Sequence, residues 1–281
     1  MPYKTFNLDR QKSVTLAIAA VITSGVLLLF PIRMLMADYY YNRVSGILDD
    51  KSTEQMDLLV ISGETILNYN QSIKSLEKAA ALDPSNSVYF KALADIYIKL
   101  GKWAEIMQMV GAELPQEAVS VEDANKNAVK YLRRAILLEP TNPDYHLALG
   151  KLYPVTTGDT WNSGKELSRA AYAYPVNAPL RYVIANHYLL SGMKGEALEH
   201  ARILAAVDDS YYMPDSARGT LDAERRTPEY LSRITGSYLF KALEIAWRVS
   251  KDPQVIKGIA PDNSEAKEAA RLFLEGKGFY E

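Results

Sequence analysis

Three histidines, His146, His187 and His200, are the side chains of this chain best suited to move protons near neutral pH or to hold a transition metal. His187 and His200 fall on neighbouring helical stretches and are expected to approach each other. No carboxylate pattern beside them completes a ligand set, so no metal is expected. The acid pairs Asp49-Asp50 and Asp208-Asp209 border turns or helix ends, where carboxylates are ordinary turn residues. The sequence has no glycine-rich phosphate loop, no HExxH pair and no GxSxG elbow. It has no cysteine either, which excludes disulfides, thiolate metal sites and thiol nucleophiles. The expectation is a non-enzyme with no catalytic residues, no metal and no cofactor.

The elements that must position these residues come from the rest of the 281-residue chain. Its 48% hydrophobic content can fill a substantial core. The formal net charge is −2, and the first 36 residues hold Lys4, Arg10, Lys12 and Arg33 against Asp9, so the body is mildly acidic. An acidic body argues against nucleic acid, whose binding relies on Lys and Arg neutralising phosphates.

Ser13 to Ile32 is a run of 20 residues without a charge. At ~1.5 Å per residue a helix of that length crosses the ~30 Å hydrocarbon core of a bilayer. The expected organisation is a basic flank over 1–12, a transmembrane helix over 13–36 and a juxtamembrane segment over 37–52. Tyr39, Tyr40 and Tyr41 suit a membrane interface, where a ring stays apolar while its hydroxyl meets water. A cleaved signal peptide, giving a secreted or periplasmic protein, is the competing reading. The run exceeds the ~7–15 residues of a signal core, and PIRMLMADYY offers no small-x-small cleavage site. Lys4, Arg10 and Lys12 favour a cytoplasmic N-terminus, with the body on the extracytoplasmic, periplasmic side of a single-pass membrane protein.

One phrase recurs along the body: EKAAALDPSN at 77–86, RRAILLEPTN at 133–142 and SRAAYAYPVN at 168–177. Each reads as the end of a helix stopped by proline, at Pro84, Pro140 and Pro175. The second interval is 35 residues and the first is 56. Before each proline stand a leucine and a small residue at fixed offsets: Leu76 and Ala79, Leu132 and Ala135, Leu167 and Ala170. After them come Phe90, Leu93-Ala94 and Tyr97, then His146, Leu149-Gly150 and Tyr153, then Arg181, Ile184-Ala185 and Tyr188. Gly101 and Gly192 mark mid-repeat turns. Small residues let two helices approach closely while leucines and tyrosines fill the space between successive pairs.

In these residues and in a period close to ~34 the chain resembles the tetratricopeptide repeat family. The resemblance implies an all-α fold: an α-solenoid of antiparallel helix pairs over 53–209, behind the membrane helix. A degenerate first unit is expected over 53–82, with Met56 and Leu59 in apolar places and Gly63 where a tyrosine belongs. It also places His146 at a packing position and predicts insertions at 107–125 and 154–164. Insertions in repeat proteins emerge as loops on one face, often the binding face. Trp161, in the second, reads as either a cap over a neighbouring hydrophobic surface or a contact residue, and the cap is favoured.

Residues 210–228 lack periodicity and read as a linker, and 210–281 as linker plus C-terminal helical cap. EYLSRITGSYLFKALEIAWRVS reads as one helix, and a last helix is expected over Ser264–Glu275 with Ala266, Ala269, Ala270 and Phe273 as its buried stripe. The ending AWRVSKDPQVIKGIAPDNSEAKEAARLFLEGKG also resembles the C-terminal ends of tetratricopeptide proteins found beside bacterial O-antigen ligases or surface-polysaccharide polymerases.

In the family, the first helix of each pair lines the inner groove, which transfers to Lys91, Asp95 and Lys99, then Asp144 and Lys151, then Tyr182 and Asn186. The chaperone-tail clamp of some members is not expected, because Lys91 fits it but Asp95, Ala148, Pro179 and Val183 occupy its other positions. The resemblance implies a membrane-anchored protein-interaction scaffold in cell-envelope or surface-polysaccharide assembly. Its partner would be a protein, with a polytopic glycan polymerase or ligase the candidate. The alternative is an accessory subunit whose anchor packs directly on such a polytopic glycosyl-polymer enzyme.

Overall fold

Each recurring proline ends one helix, and the asparagine two places on begins the next. Asn86, Asn142 and Asn177 lie in extended backbone, and their side chains accept hydrogen bonds from the amides of Val88, Asp144 and Leu180. Those amides are among the four that a helix start leaves unpaired. The computed structural model describes residues 15, 23, 29–44, 63–116, 118–210 and 228–279, and the regular structure among them is α-helix throughout. The chain divides into two compact units, Met1–Pro140 and Thr141–Glu281.

The first unit contains the helical residues 29–44 (α1), α2 (Gly63–Leu82), α3 (Ser87–Met109) and α4 (Val121–Leu138). Helices α3 and α4 run antiparallel. Ser87 at the start of α3 bonds Glu139 just past the end of α4, while Gly101 lies against Ala124 and Asn125 at the start of α4. The repeat positions pack as the sequence predicts: Leu76, Ala79, Leu93, Ala94, Leu132 and Ala135 have no accessible surface. Burying a leucine side chain contributes roughly 1.5–3 kcal/mol, and alanines at the crossings let the helices approach closely enough for that burial to be complete.

Residues from the end of the expected transmembrane helix and from the expected juxtamembrane segment are docked here. Ala37 is buried among Ala79, Ala80 and Tyr89, and Tyr40 and Tyr41 pack beside them. Arg33 donates to the carbonyl of Ala81 at 3.4 Å, satisfying an orphan acceptor in the last turn of α2. Of the three tyrosines expected to form an interfacial belt, Tyr40 instead receives the Lys78 ammonium and Tyr41 packs on the Tyr89 ring, with only Tyr39 mostly exposed. Most of the uncharged run 13–32, and Met56 and Leu59 of the expected first unit, lie outside the described residues. Among the described residues no helix is long and apolar enough to cross a membrane.

The first expected insertion is shorter than predicted, because α3 runs on to Met109 and α4 starts at Val121. What remains folds back: Leu114 and Ala118 pack against Ile66, Trp103 and Ala104, so this stretch covers a helix end.

The second unit contains α5 (Pro143–Thr157), α6 (Thr160–Ala173), α7 (Ala178–Leu190), α8 (Lys194–Val207), α9 (Pro228–Gly236), α10 (Tyr238–Ser250), α11 (Pro253–Ile259) and α12 (Ser264–Gly276). The second expected insertion, 154–164, is not a loop. Pro154 lies inside α5, and only Gly158 and Asp159 separate it from α6. Proline lacks the N–H that would bond the carbonyl four residues back. That carbonyl belongs to Gly150, and the Ser163 hydroxyl of α6 donates to it at 2.7 Å, so the helix continues. Gly150 is also a point of close approach: a Cβ there would meet Leu167 side-chain carbons at 2.9 Å.

Two further differences follow from local capping. The stretch 229–250, read as one helix, is broken at Ser237, whose hydroxyl accepts from the Phe240 amide to start α10 afresh. The stripe of α12 is buried as expected, with Phe273 edge-on to Phe240 and Trp247. Asp208, read only as a turn carboxylate, is buried and accepts from the amides of Leu239 at 2.6 Å and Ser210 at 3.1 Å. It joins the end of α8 to the start of α10.

Candidate functional site

Lys91, Asp95 and Lys99 recur every four residues along α3 and share one face of it. All three are half-buried, while Leu93 and Ala94 between them are sealed in the core. The Lys91 ammonium lies 2.6 Å from both Asp95 carboxylate oxygens. A partly exposed pair four residues apart on a helix contributes only about 0.3–0.5 kcal/mol. A ligand presenting its own carboxylate or ammonium can therefore open this pair at little cost.

In the second unit, Asp144 is exposed in the first turn of α5 and Lys151 is exposed two turns further on. Tyr182 and Asn186 are half-buried on α7. Tyr182 meets Tyr238 of α10 edge-on at 6.1 Å, and the Lys241 ammonium lies over both rings. The C-terminal helices thus reach the first helix of the last pair at this residue. Lys91, Asp95 and Lys99 belong to the first unit and the other four to the second.

The histidines are consumed by packing. His146 is buried, its Nδ1 2.6 Å from Glu166, which also takes the Arg169 guanidinium at 2.6 Å. Ser163 gives its proton to Gly150, so the 3.2 Å contact to His187 Nε2 requires that nitrogen to carry the hydrogen. Burial, with Lys151 nearby, lowers the His187 pKa and keeps the ring neutral. Burial and the Arg181 charge lower that of His200 to about 4. His187 and His200 flank the Tyr188 ring, with His200 stacked at 5.3 Å. Among the described residues no three His, Cys, Asp or Glu side chains are grouped to hold a metal.

Arg181 stands where its repeat should carry a bulky apolar residue, and the structure shows the compensation. Its guanidinium donates to the carbonyls of Pro175 and Ala171, satisfying acceptors at the end of α6. Trp161 does not cap a hydrophobic surface: it is 81% exposed. The inward face of α6 is taken by Ser163, Glu166, Leu167 and Ala170, which leaves Trp161 pointing away.

No protein-family model and no curated protein matches the chain. Among solved structures it is similar to two described as crystal structures of MamA. One is 17% identical over 67% of this chain and 95% of that one, with a TM-score of 0.39; the other is 15% identical over 90% and 96%, with a TM-score of 0.43. A third, YrrB, described as a TPR protein with an unusual peptide-binding site, is 16% identical over 86% of this chain and 100% of that one, with a TM-score of 0.35. Overlaps this loose carry no weight for the fold. The helix-pair architecture stands on its own buried register, in which Leu149, Tyr153, Ile184, Ala185 and Tyr188 occupy the repeat positions as core.

One aromatic cluster was not legible in the sequence. Phe90 and Tyr97 of α3 stack with Tyr131 of α4 at 6.5 and 5.8 Å, with Arg134 over Phe90 and Lys130 over Tyr131. Burial, and then Glu77, whose carboxylate accepts from Tyr131 at 3.2 Å, push that phenol up to about 12. Periodicity marks Phe90 and Tyr97 as packing residues but does not reveal Tyr131 as their partner.

Proposed function

We propose that this chain is a membrane-anchored protein-interaction scaffold that docks a protein partner in envelope glycan assembly and catalyses nothing itself. The observation that carries the binding reading is the division of labour on α3. Its Leu93 and Ala94 are sealed in the core, while Lys91, Asp95 and Lys99 are half-buried, and Lys91 and Asp95 form an ion pair that opens cheaply. The histidines and buried carboxylates that might serve catalysis are committed to helix-to-helix bonds. The anchor rests on the uncharged run 13–32. The envelope role and an extracytoplasmic body rest on the C-terminal resemblance and on Lys4, Arg10 and Lys12.

The test is mild cross-linking of cells followed by affinity purification of the intact protein from detergent and identification of co-purifying proteins. Recovery of a polytopic glycan polymerase or ligase supports the proposal. Recovery of cytoplasmic proteins alone would overturn both the envelope role and the assigned topology.

A further inference from the structure

The segment leaving the expected membrane span has two unlike faces. Arg33, Ala37, Tyr40 and Tyr41 form one stripe at helical spacing, and it is this stripe that lies on α2 and α3. On the far side Ile32, Leu35, Met36 and Tyr39 form a second stripe, at the spacing i, i+3, i+4, i+7. These four are exposed, Leu35 to 70%. The stripe stops sharply: the next residues on that side are Asn42 and Arg43, both exposed and polar.

Resting on the anchor reading above, we infer that this outer stripe lies in the lipid interface and that the first unit is docked directly against the bilayer surface. Continuity fixes the occupant. The stripe follows without interruption from the uncharged run ending at Ile32, so the same surface that meets lipid before Arg33 carries on beyond it. Residues 33–39 add ~10 Å of helix, comparable with the ~5–7 Å headgroup layer of one leaflet plus the edge of its hydrocarbon. Tyr39 ends the stripe with a ring suited to that depth. Arg33 faces the protein, where its guanidinium holds the Ala81 carbonyl, so it is not stranded in lipid. A shallow recess of about 250 Å³ beside it is lined by Phe30, Met34, Leu82 and Pro84, with Asp83 and Ser85 at its edge. The turn 82–85 therefore rests at the headgroups, and the first unit is held at a fixed orientation to the membrane.

The absence of cysteine gives a clean background for testing this in the full chain. Single variants Ile32→Cys, Leu35→Cys, Met36→Cys, Tyr39→Cys, Asn42→Cys and Arg43→Cys are spin-labelled and reconstituted into phosphatidylcholine–phosphatidylglycerol vesicles. Flotation of the vesicles first establishes whether the chain is membrane-bound. The first four labels are expected to collide with oxygen and lose collisions with an aqueous nickel chelate, and the last two to do the reverse. If the protein floats but all six labels meet nickel equally, the inference fails while the anchor stands. Failure to float removes both. Dipolar broadening between copies that each carry the single label at 35 would assign the stripe to a second copy and overturn the lipid assignment.

Discussion

The Tyr89 hydroxyl donates to the Asp38 carboxylate at 2.6 Å, joining two residues 51 positions apart. This bond ties the helix that leaves the expected membrane span to the first helix pair. Tyr89 is buried, and burial together with the Asp38 charge raises its phenol pKa well above the usual range, so it stays a donor at any physiological pH.

Tyr89→Phe removes that bond and little else. Hydrogen bonds to charged groups contribute about 1.5–3 kcal/mol, and the exposed Asp38 regains water in the variant, so a loss of about 1–2 kcal/mol is expected. Urea unfolding followed by circular dichroism measures it. A nitroxide at position 42 is expected to become more mobile in the same variant, and unchanged mobility would show that the segment is held by other contacts.

Ser163→Ala tests why α5 tolerates an internal proline. The change leaves the buried Gly150 carbonyl with neither the amide that Pro154 lacks nor the hydroxyl that replaced it. An unsatisfied buried acceptor costs about 1–3 kcal/mol. Faster amide exchange over 150–157 is expected, with α10 and α12 unaffected. Ser163→Thr, which keeps the hydroxyl, is expected to lose less.

How far the sequence could be read divides along the same line. Pro84, Pro140 and Pro175, with the leucines and alanines before them, set helix ends and crossings by local chemistry, and those were legible. The long-range compensations were not. Nothing near Pro154 says that a serine nine residues on will accept the role of its missing amide, so the stretch read as a loop. Tyr40 and Tyr41 suit a membrane interface and a protein core equally well, and only the position of Ala79, Ala80 and Tyr89 decides between them. The groove residues were chosen by transfer from a family. The structure places each of them on its helix and pairs Lys91 with Asp95, while their use remains a proposal.

His200 makes the second unit sensitive to acid. Its Nδ1 accepts from the Arg181 guanidinium at 3.4 Å, and protonation would remove the acceptor and set two cations together. The folded pKa is lowered to about 4 from the ordinary 6.5, so below about 6.5 the unfolded chain binds a proton that the folded chain does not. Stability is therefore complete above 6.5 and falls as pH drops toward 4, by on the order of 2–3 kcal/mol from this group. His187, also lowered, acts in the same direction. The unfolding midpoint measured from pH 7 to 4 is expected to decline less in His200→Gln than in the unaltered protein. An identical decline would assign the sensitivity elsewhere.

Asp208→Ala is expected to loosen the C-terminal helices. It strips a buried acceptor from the Leu239 and Ser210 amides, and Leu239 sits at the positive N-terminal end of α10. A loss of about 2–3 kcal/mol, with hydrogen exchange accelerated first at 238–242, is the expected result. Asp208→Asn keeps an acceptor and should lose less.

If the half-buried polar face of α3 binds a protein partner, removing its charges should remove that partner. Cells carrying the intact chain and the Lys91→Ala, Asp95→Ala, Lys99→Ala triple variant are cross-linked, and the partner recovered with each is quantified. Because these side chains lie outside the core, helicity should be unchanged and the unfolding free energy should stay within about 0.5 kcal/mol of the unaltered protein. The expected result is a stably folded variant that reaches the membrane but no longer recovers its partner. Undiminished recovery by a folded, membrane-bound variant would contradict the account and move the binding surface away from α3.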